Sequence, residues 1–399
     1  MGETGAIALP PPTPSPDGAA TTDERVAPEP AAPADPAPAR RFSLGNRPPL
    51  TGIRGIGVTV LLIDHSYFGA FPGSWFTISI FCVLSGFLIT SMLVGEGERT
   101  GGVSLRTFYE RRAVRLLPPL FLTVALLAAY AGLVYVADAA QRVWGDIAAA
   151  TFYYADYRSA SGHEPFLGFL AQAWSLSVEE QYYVLWSVLM VVALKFRKRK
   201  LAYGIAAAGV VASAADRLWT VTSAPAFTNA VFNRAYYAFD TRADALFLGC
   251  LLGLAATGGH LGGWPPWAKG TLAALAAASA ATLVWIGFEV PLGTRAVVTW
   301  GLPLSELAAA IIIAYFIVNP VGLGSRFMGL GPFVFVGYLS YTIYLVHWPI
   351  FIAIAPYGTH WGFWPTEALR LALVFGIAVA SWYLMERPLT RWRRRSLSR

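Results

Sequence analysis

In the run Ile53–Ser66, IRGIGVTVLLIDHS, Arg54 and His65 stand eleven positions apart with almost nothing but apolar residues between them. A guanidinium carries a permanent charge and a fork of donors that fits phosphate, whereas an imidazole can take up and return a proton near neutral pH. A second basic pair, Arg112 and Arg115 in FYERRAVRLLPP, is spaced so that both side chains share one face if the segment is helical. Three arginines near one end of an apolar rod and a histidine near the other suit a phosphate grip at one side and proton transfer at the other.

Other ionisable residues interrupt apolar runs: Asp64 beside His65, Glu179 and Glu180 in QAWSLSVEEQYYVLW, Asp240, Arg242 and Asp244 in FDTRADALF, and His347 in GYLSYTIYLVHWPI. Each costs roughly 2.5–3.5 kcal/mol in the middle of a membrane span, so each is a functional candidate. If the first span runs outward, His65 sits roughly 16 Å beyond Arg54 at the helical rise. Asp64, His65, Glu179, Glu180, Asp240, Arg242, Asp244 and His347 are then expected at similar depth as one outer polar cluster, with Asp64, Glu179 or Glu180 orienting His65. Simpler roles compete. The three arginines could snorkel to headgroups, His347 could belong to an interfacial aromatic belt, and Asp240 to Asp244 could form a structural salt-bridge cluster. Glu386 and Arg387 in YLMERP are expected to cap and anchor the last helix, and no role falls to His163, His260 or His360.

The elements that must position these residues follow from composition. With 56% hydrophobic and 13% charged residues, the chain is expected to be an all-α integral membrane protein. Ten apolar stretches long enough to span are expected at approximately 50–68, 74–94, 114–136, 171–194, 201–221, 240–257, 268–288, 299–318, 332–354 and 366–385. The formal net charge of +7 does not imply nucleic-acid binding, because basic residues gather in alternate connections. That distribution places both termini in the cytoplasm and the protein in the inner (plasma) membrane. Cys82 and Cys250 fall inside spans and read as small apolar residues; no metal is expected. Residues 1–47, rich in Pro and Ala without an apolar signal core, read as a disordered cytoplasmic tail, residues 48–390 as the membrane domain and 391–399 as a basic cytoplasmic tail.

Taken in order, LTGIRGIGVTVLLIDH, IFCVLSGFLIT, FYERRAVRLLPP, WSLSVEEQYYVLW, FDTRADALFLG, YLSYTIYLVHWPI and MERP make the chain resemble the membrane acyltransferase 3 family over nearly all of residues 48–390. The pattern departs at Thr51, where the family often has Asp, and at Ile78, Ser79 and Ile80, where it often has Gly-Val-Asp. The resemblance implies a ten-helix core and transfer of an acyl group, commonly acetyl, from cytosolic acyl-CoA to a hydroxyl of a glycan, glycolipid or sugar. It implies a stand-alone form, without the hydrolase-like SGNH domain fused in some relatives.

Acyl transfer to an alcohol needs a base, and His65 is the expected one; Arg54, Arg112 and Arg115 are expected to hold the phosphates of acyl-CoA. The expected partners are acyl-CoA, a carbohydrate or glycolipid acceptor and the lipid bilayer. A macrolide-like natural product is the alternative acceptor. A proton-coupled exporter and a recruiting scaffold are the alternative classes, and the absence of an inverted repeat or paired broken helices in the sequence weighs against the first.

Overall fold

A computed structural model of the chain describes residues 44–45, 47–68, 71–134, 137–162, 168–195, 198–354 and 361–397. Apart from Leu44, Gly45 and Arg47, the segment read as a tail lies outside the described residues. Among the described residues there are helices and no strands.

In chain order the helices are α1 (Pro48–Ile63), α2 (Phe76–Thr100), α3 (Leu105–Val134), α4 (Ala137–Thr151) and α5 (Ala155–Ser161). Then come α6 (Ala173–Lys195), α7 (Arg199–Thr222), α8 (Asn229–Tyr237), α9 (Phe239–Thr257) and α10 (Pro266–Glu289). The last are α11 (Leu302–Val318), α12 (Leu323–Met328), α13 (Gly331–Ala353), α14 (Phe363–Ser381) and α15 (Arg387–Leu397). Each of the ten stretches expected to span falls on a helix. Among the described residues, seven helical segments are long and apolar enough to cross a membrane, those containing α2, α3, α7, α10, α11, α13 and α14. The chain is thus a multi-pass membrane protein. Of the expected spans, α1 has only 16 residues, and α6 and α9 carry the charges discussed below.

The bundle is sided as a bilayer requires. Along α6, Tyr182, Tyr183, Trp186 and Met190 are buried, while Val184, Leu185, Val188 and Val192 are exposed on the opposite face. An exposed valine and leucine face is stable against lipid tails and unfavourable against water, so hydrocarbon is the solvent this surface fits.

Where helices face each other, small residues let their backbones approach. α1 packs extensively on α13. A Cβ added to Gly55 would lie 2.1 Å from the carbonyl oxygen of Phe333, and one added to Gly337 would lie 2.0 Å from that of Thr51. Both positions therefore require glycine by close approach.

Two features shape α13 near its end. Pro349 has no amide hydrogen, which leaves the carbonyl of Leu345 without its helical donor; the side-chain amide of Gln172 donates to it at 2.9 Å. Beyond the proline, fully buried Arg370 of α14 donates to the carbonyls of Phe351 and Ile354 at 2.6 Å each and pairs with Glu367. Helix-end carbonyls that lipid could not satisfy are thereby capped. α1 closes in a π turn, Asp64–Phe68, a wider coil that carries His65 out of the α-helical register.

Gly337→Ala is expected to destabilise the protein by about 1–3 kcal/mol through overpacking. Gly376→Ala, on an open face of α14 with nothing within 4 Å of the added atom, should be neutral or slightly stabilising. Thermal unfolding of the two variants in the same detergent compares them.

Candidate active site

The packing of α1 on α13 brings His65 to His347. His65 Nδ1 lies 3.0 Å from His347 Nε2, and His347 Nδ1 lies 2.8 Å from the carbonyl oxygen of Tyr344 and 3.2 Å from that of Ile343. Carbonyl oxygens only accept, so Nδ1 of His347 carries the hydrogen. In a neutral pair, His347 Nε2 must then accept, and His65 Nδ1 must donate to it. This chain of bonds leaves the Nε2 lone pair of His65 unengaged and fixes its tautomer. The rings are held further by Trp348, edge-on to His65 at 5.0 Å between centroids, and by Phe351 against His347. His347 is fully buried, whereas His65 lines a cavity of about 640 Å³. The same cavity is lined by Asp64, Gln172, Trp174, Tyr236 and Tyr237. Asp64 accepts from the Ser74 hydroxyl at 2.6 Å, so its carboxylate is engaged away from the imidazole pair.

A second cavity, of about 260 Å³, is lined by Arg54, Arg112 and Arg115 together with Ser85, Glu179 and Tyr183. The segment containing Arg112 and Arg115 lies in the first part of α3, and the helix places both on one side as the i,i+3 spacing requires. Arg112 lies over the Tyr183 ring at 3.2 Å from its centroid. Its ion pair with Glu180 is 3.7 Å long, beyond hydrogen-bond reach, and Arg112 Nε has no hydrogen-bond partner among the described residues. Tyr183 donates to Glu179 at 2.6 Å and bonds Ser85. Glu386 accepts from Thr342 at 2.8 Å and Ser381 at 3.0 Å, and its charge acts on Arg115 and Arg54. This carboxylate, expected to cap and anchor the last helix, thus lies within electrostatic range of the arginines. Loosely paired guanidiniums around a small cavity form a site that an anion with several oxygens can enter by displacing the weak carboxylate contact.

The expectation of one outer polar cluster needs correction. Glu179 and Glu180 stand with the arginines rather than beside His65. Gln172, just ahead of α6, is level with Leu345, and seven further residues of helix carry the chain roughly 10 Å deeper before Glu179. The neighbour of His65 is His347. Arg242 and Asp244 form a separate buried network: Asp244 pairs with Arg217 at 2.6 Å, and Arg242 sits 3.6 Å from Glu306. Arg242 also lies over Tyr236 and Trp174, behind the aromatic wall of the larger cavity. Asp240 is half exposed and paired with Arg234 at 2.7 Å, outside both cavities. Cys82 and Cys250 are buried free thiols. His163 and His360 lie outside the described residues.

Sequence reading missed Tyr183, Tyr344, Arg217, Glu306 and Arg370 as parts of these networks. Their only sequence signal was the i,i+4 pairing of Glu179 with Tyr183 and the placement of Tyr344 one turn before His347. Partners on distant helices leave no such trace.

The acyltransferase domain family of the acyltransferase 3 type matches residues 50–387. The chain belongs to this family. It is similar to the O-acetyltransferase OatA of Staphylococcus aureus strain NCTC 8325, with 28% identity over 329 residues, covering 78% of this chain and 51% of the relative. A putative O-acetyltransferase of S. aureus strain COL is 29% identical over 324 residues, with the same 78% and 51% coverage. The chain thus spans about half the length of the curated relatives it matches. No solved structure matches it.

Arg217→Leu strands the Asp244 carboxylate in the interior and should cost about 3–5 kcal/mol, the penalty of breaking a buried pair. Asp240→Asn, at the exposed pair, should change stability by no more than about 1 kcal/mol. Heat-inactivation curves of detergent-extracted protein, followed by size-exclusion fluorescence, separate the two.

Proposed function

We propose that the protein is a membrane O-acyltransferase that moves an acyl group, by preference acetyl, from cytosolic acyl-CoA to a hydroxyl of a cell-envelope glycan, glycolipid or sugar. The observation that carries this reading is the pairing of two cavities on one bundle: three arginines line the smaller, and a histidine with a defined tautomer lines the larger. The names of the curated relatives, O-acetyltransferases, support the group and the hydroxyl acceptor.

In this mechanism Arg54, Arg112 and Arg115 bind the phosphates of the coenzyme, and the slim pantetheine arm runs between the helices toward the larger cavity. Nε2 of His65 takes the proton of the acceptor hydroxyl as its oxygen attacks the thioester carbonyl. The carbon–sulfur bond then breaks, and the proton passes from the imidazolium to the departing sulfur. His347 is a positioning residue: its Nε2 receives the Nδ1 hydrogen of His65 and strengthens that bond when His65 becomes positive. Glu179 and Glu180 act on the donor side, holding Tyr183 and Arg112 until phosphate arrives. Asp64, Arg242 and Asp244 support the acceptor side, Asp64 from the cavity wall and the others from behind Trp174 and Tyr236. The aromatic rings of that wall are flat apolar platforms with polar edges, which suit the faces of a sugar ring.

The accompanying topology has ten spans, with α1, α6 and α9 completing the count, both termini in the cytoplasm and the protein in the plasma membrane. Residues 48–390 form the catalytic domain between two cytoplasmic tails. The short α1 spans by continuing through its π turn, and Glu179, Glu180, Arg242 and Asp244 of α6 and α9 face protein rather than lipid.

His65→Ala should lower transfer by about 10²–10⁴-fold, the range for loss of a general base, with the folded protein retained. Arg112→Ala should instead raise the KM for acetyl-CoA with a smaller effect on kcat. Steady-state rates with purified protein in nanodiscs read both; full acylation by His65→Ala would remove His65 from the mechanism. Flux of a sugar or lipid without acyl donor would favour an exporter.

A further inference from the structure

The two cavities are divided by the same pair of side chains: Ile78 and Tyr344 line both of them. They come from different helices, α2 and α13. Tyr344 is pinned there. Its hydroxyl donates to the carbonyl of Gln172 at 2.7 Å and bonds the Ser175 hydroxyl at 2.7 Å. Gln172 lines the larger cavity and Ser175 the smaller, so the phenol is anchored from both sides. Ile78 has no polar anchor. It is buried to 6% exposure, and its branched Cβ restricts it to few rotamers.

We propose that Ile78 sets the length of the acyl chain the protein transfers. The inference rests on the acyl-transfer reading above and deepens it. With the coenzyme's phosphates among the arginines and the accepting oxygen beside His65, the thioester must sit at the division, and the acyl chain must fit between a fixed phenol and a stiff aliphatic side chain. Tyr344 cannot yield without losing two hydrogen bonds, so the volume of residue 78 decides what passes. An acetyl group ends at one methyl. Each further methylene has to displace Ile78 itself, in an interior that is close-packed. The branched side chain thereby discriminates against longer donors by the steric route available to apolar pockets.

The test uses the full chain in nanodiscs, with acetyl-, butyryl- and hexanoyl-CoA as donors and N-acetylglucosamine oligomers as the hydroxyl probe, following release of coenzyme A thiol. Wild type should prefer acetyl. Ile78→Ala should raise the hexanoyl-to-acetyl rate ratio by about tenfold or more, in the range a hydrophobic pocket achieves per methylene. Ile78→Val removes one methyl, folds more readily and should shift the ratio the same way by a smaller factor. Ile78→Trp should slow transfer of every donor. Wild-type ratios in Ile78→Ala and Ile78→Val, or wild-type rates in Ile78→Trp, would overturn the assignment of Ile78 alone. No thiol release from any donor by the wild-type protein would overturn the transfer reading as well.

Discussion

Contact between α1 and α13 at the distance of bare backbones determines where the chemistry-bearing groups can be. With Gly55 and Gly337 at the crossing, the two helices lie close enough for an imidazole on each to share one hydrogen. Side chains of ordinary size at those positions would separate the axes by several ångströms, and the histidines would then face each other across a gap that neither could span. The same approach holds Tyr344, one turn before His347, against the start of α6 through Gln172 and Ser175. The larger cavity therefore owes its histidine, its pinned tyrosine and one of its walls to two missing β-carbons.

Electrostatics in a lipid-immersed bundle reward separation of unlike tasks. A charge in the interior is tolerable when it is paired, and each group of charges here is balanced within itself: Arg217 and Arg242 with Asp244 and Glu306, Arg54, Arg112 and Arg115 with Glu179, Glu180 and Glu386. The two sets differ in tightness. The Arg217–Asp244 contact is 2.6 Å and fully buried, as a structural pair must be to offset desolvation. The Arg112–Glu180 contact is long and borders a cavity. A strained or loose pair beside open space is where an incoming anion meets the least resistance, whereas the tight pair would have to be torn apart. The two histidine rings themselves bond to each other and to the main-chain carbonyls of Tyr344 and Ile343, neutral partners that suit a group that must change its own charge.

Much of this was legible in the sequence. Apolar run lengths located the ten helical stretches, because each segment must satisfy its own backbone in lipid, and the sparse charged residues marked the polar networks. The Arg54-to-His65 spacing does place the two residues on different cavities. Depth was harder to read. Glu179 and Glu180 were expected near His65 because a span's end cannot be fixed to better than a turn or two from hydropathy, and about two turns of α6 separate Gln172, on the larger cavity, from Glu179, on the smaller. Partners across helices were also invisible: nothing local to His347 points to His65, and nothing local to Asp244 points to Arg217. The glycines of TGIRGIG and Gly337 carried the packing information, but a glycine in a span reads equally as a contact or as an open site such as Gly376.

Pro349 bears on how a bulky molecule could reach the larger cavity. Lacking an amide at that point, α13 can flex there at the expense of one side-chain contact, from Gln172, instead of a ladder of main-chain bonds. The turn beyond it is tied to α14 by Arg370, so the two would swing together. His347 lies in the turn that lacks this bond, but its Nδ1–H donates back to the carbonyls of Tyr344 and Ile343, ahead of the joint. The rim can thus widen for a branched or chain-linked guest while the proton-handling pair keeps its alignment.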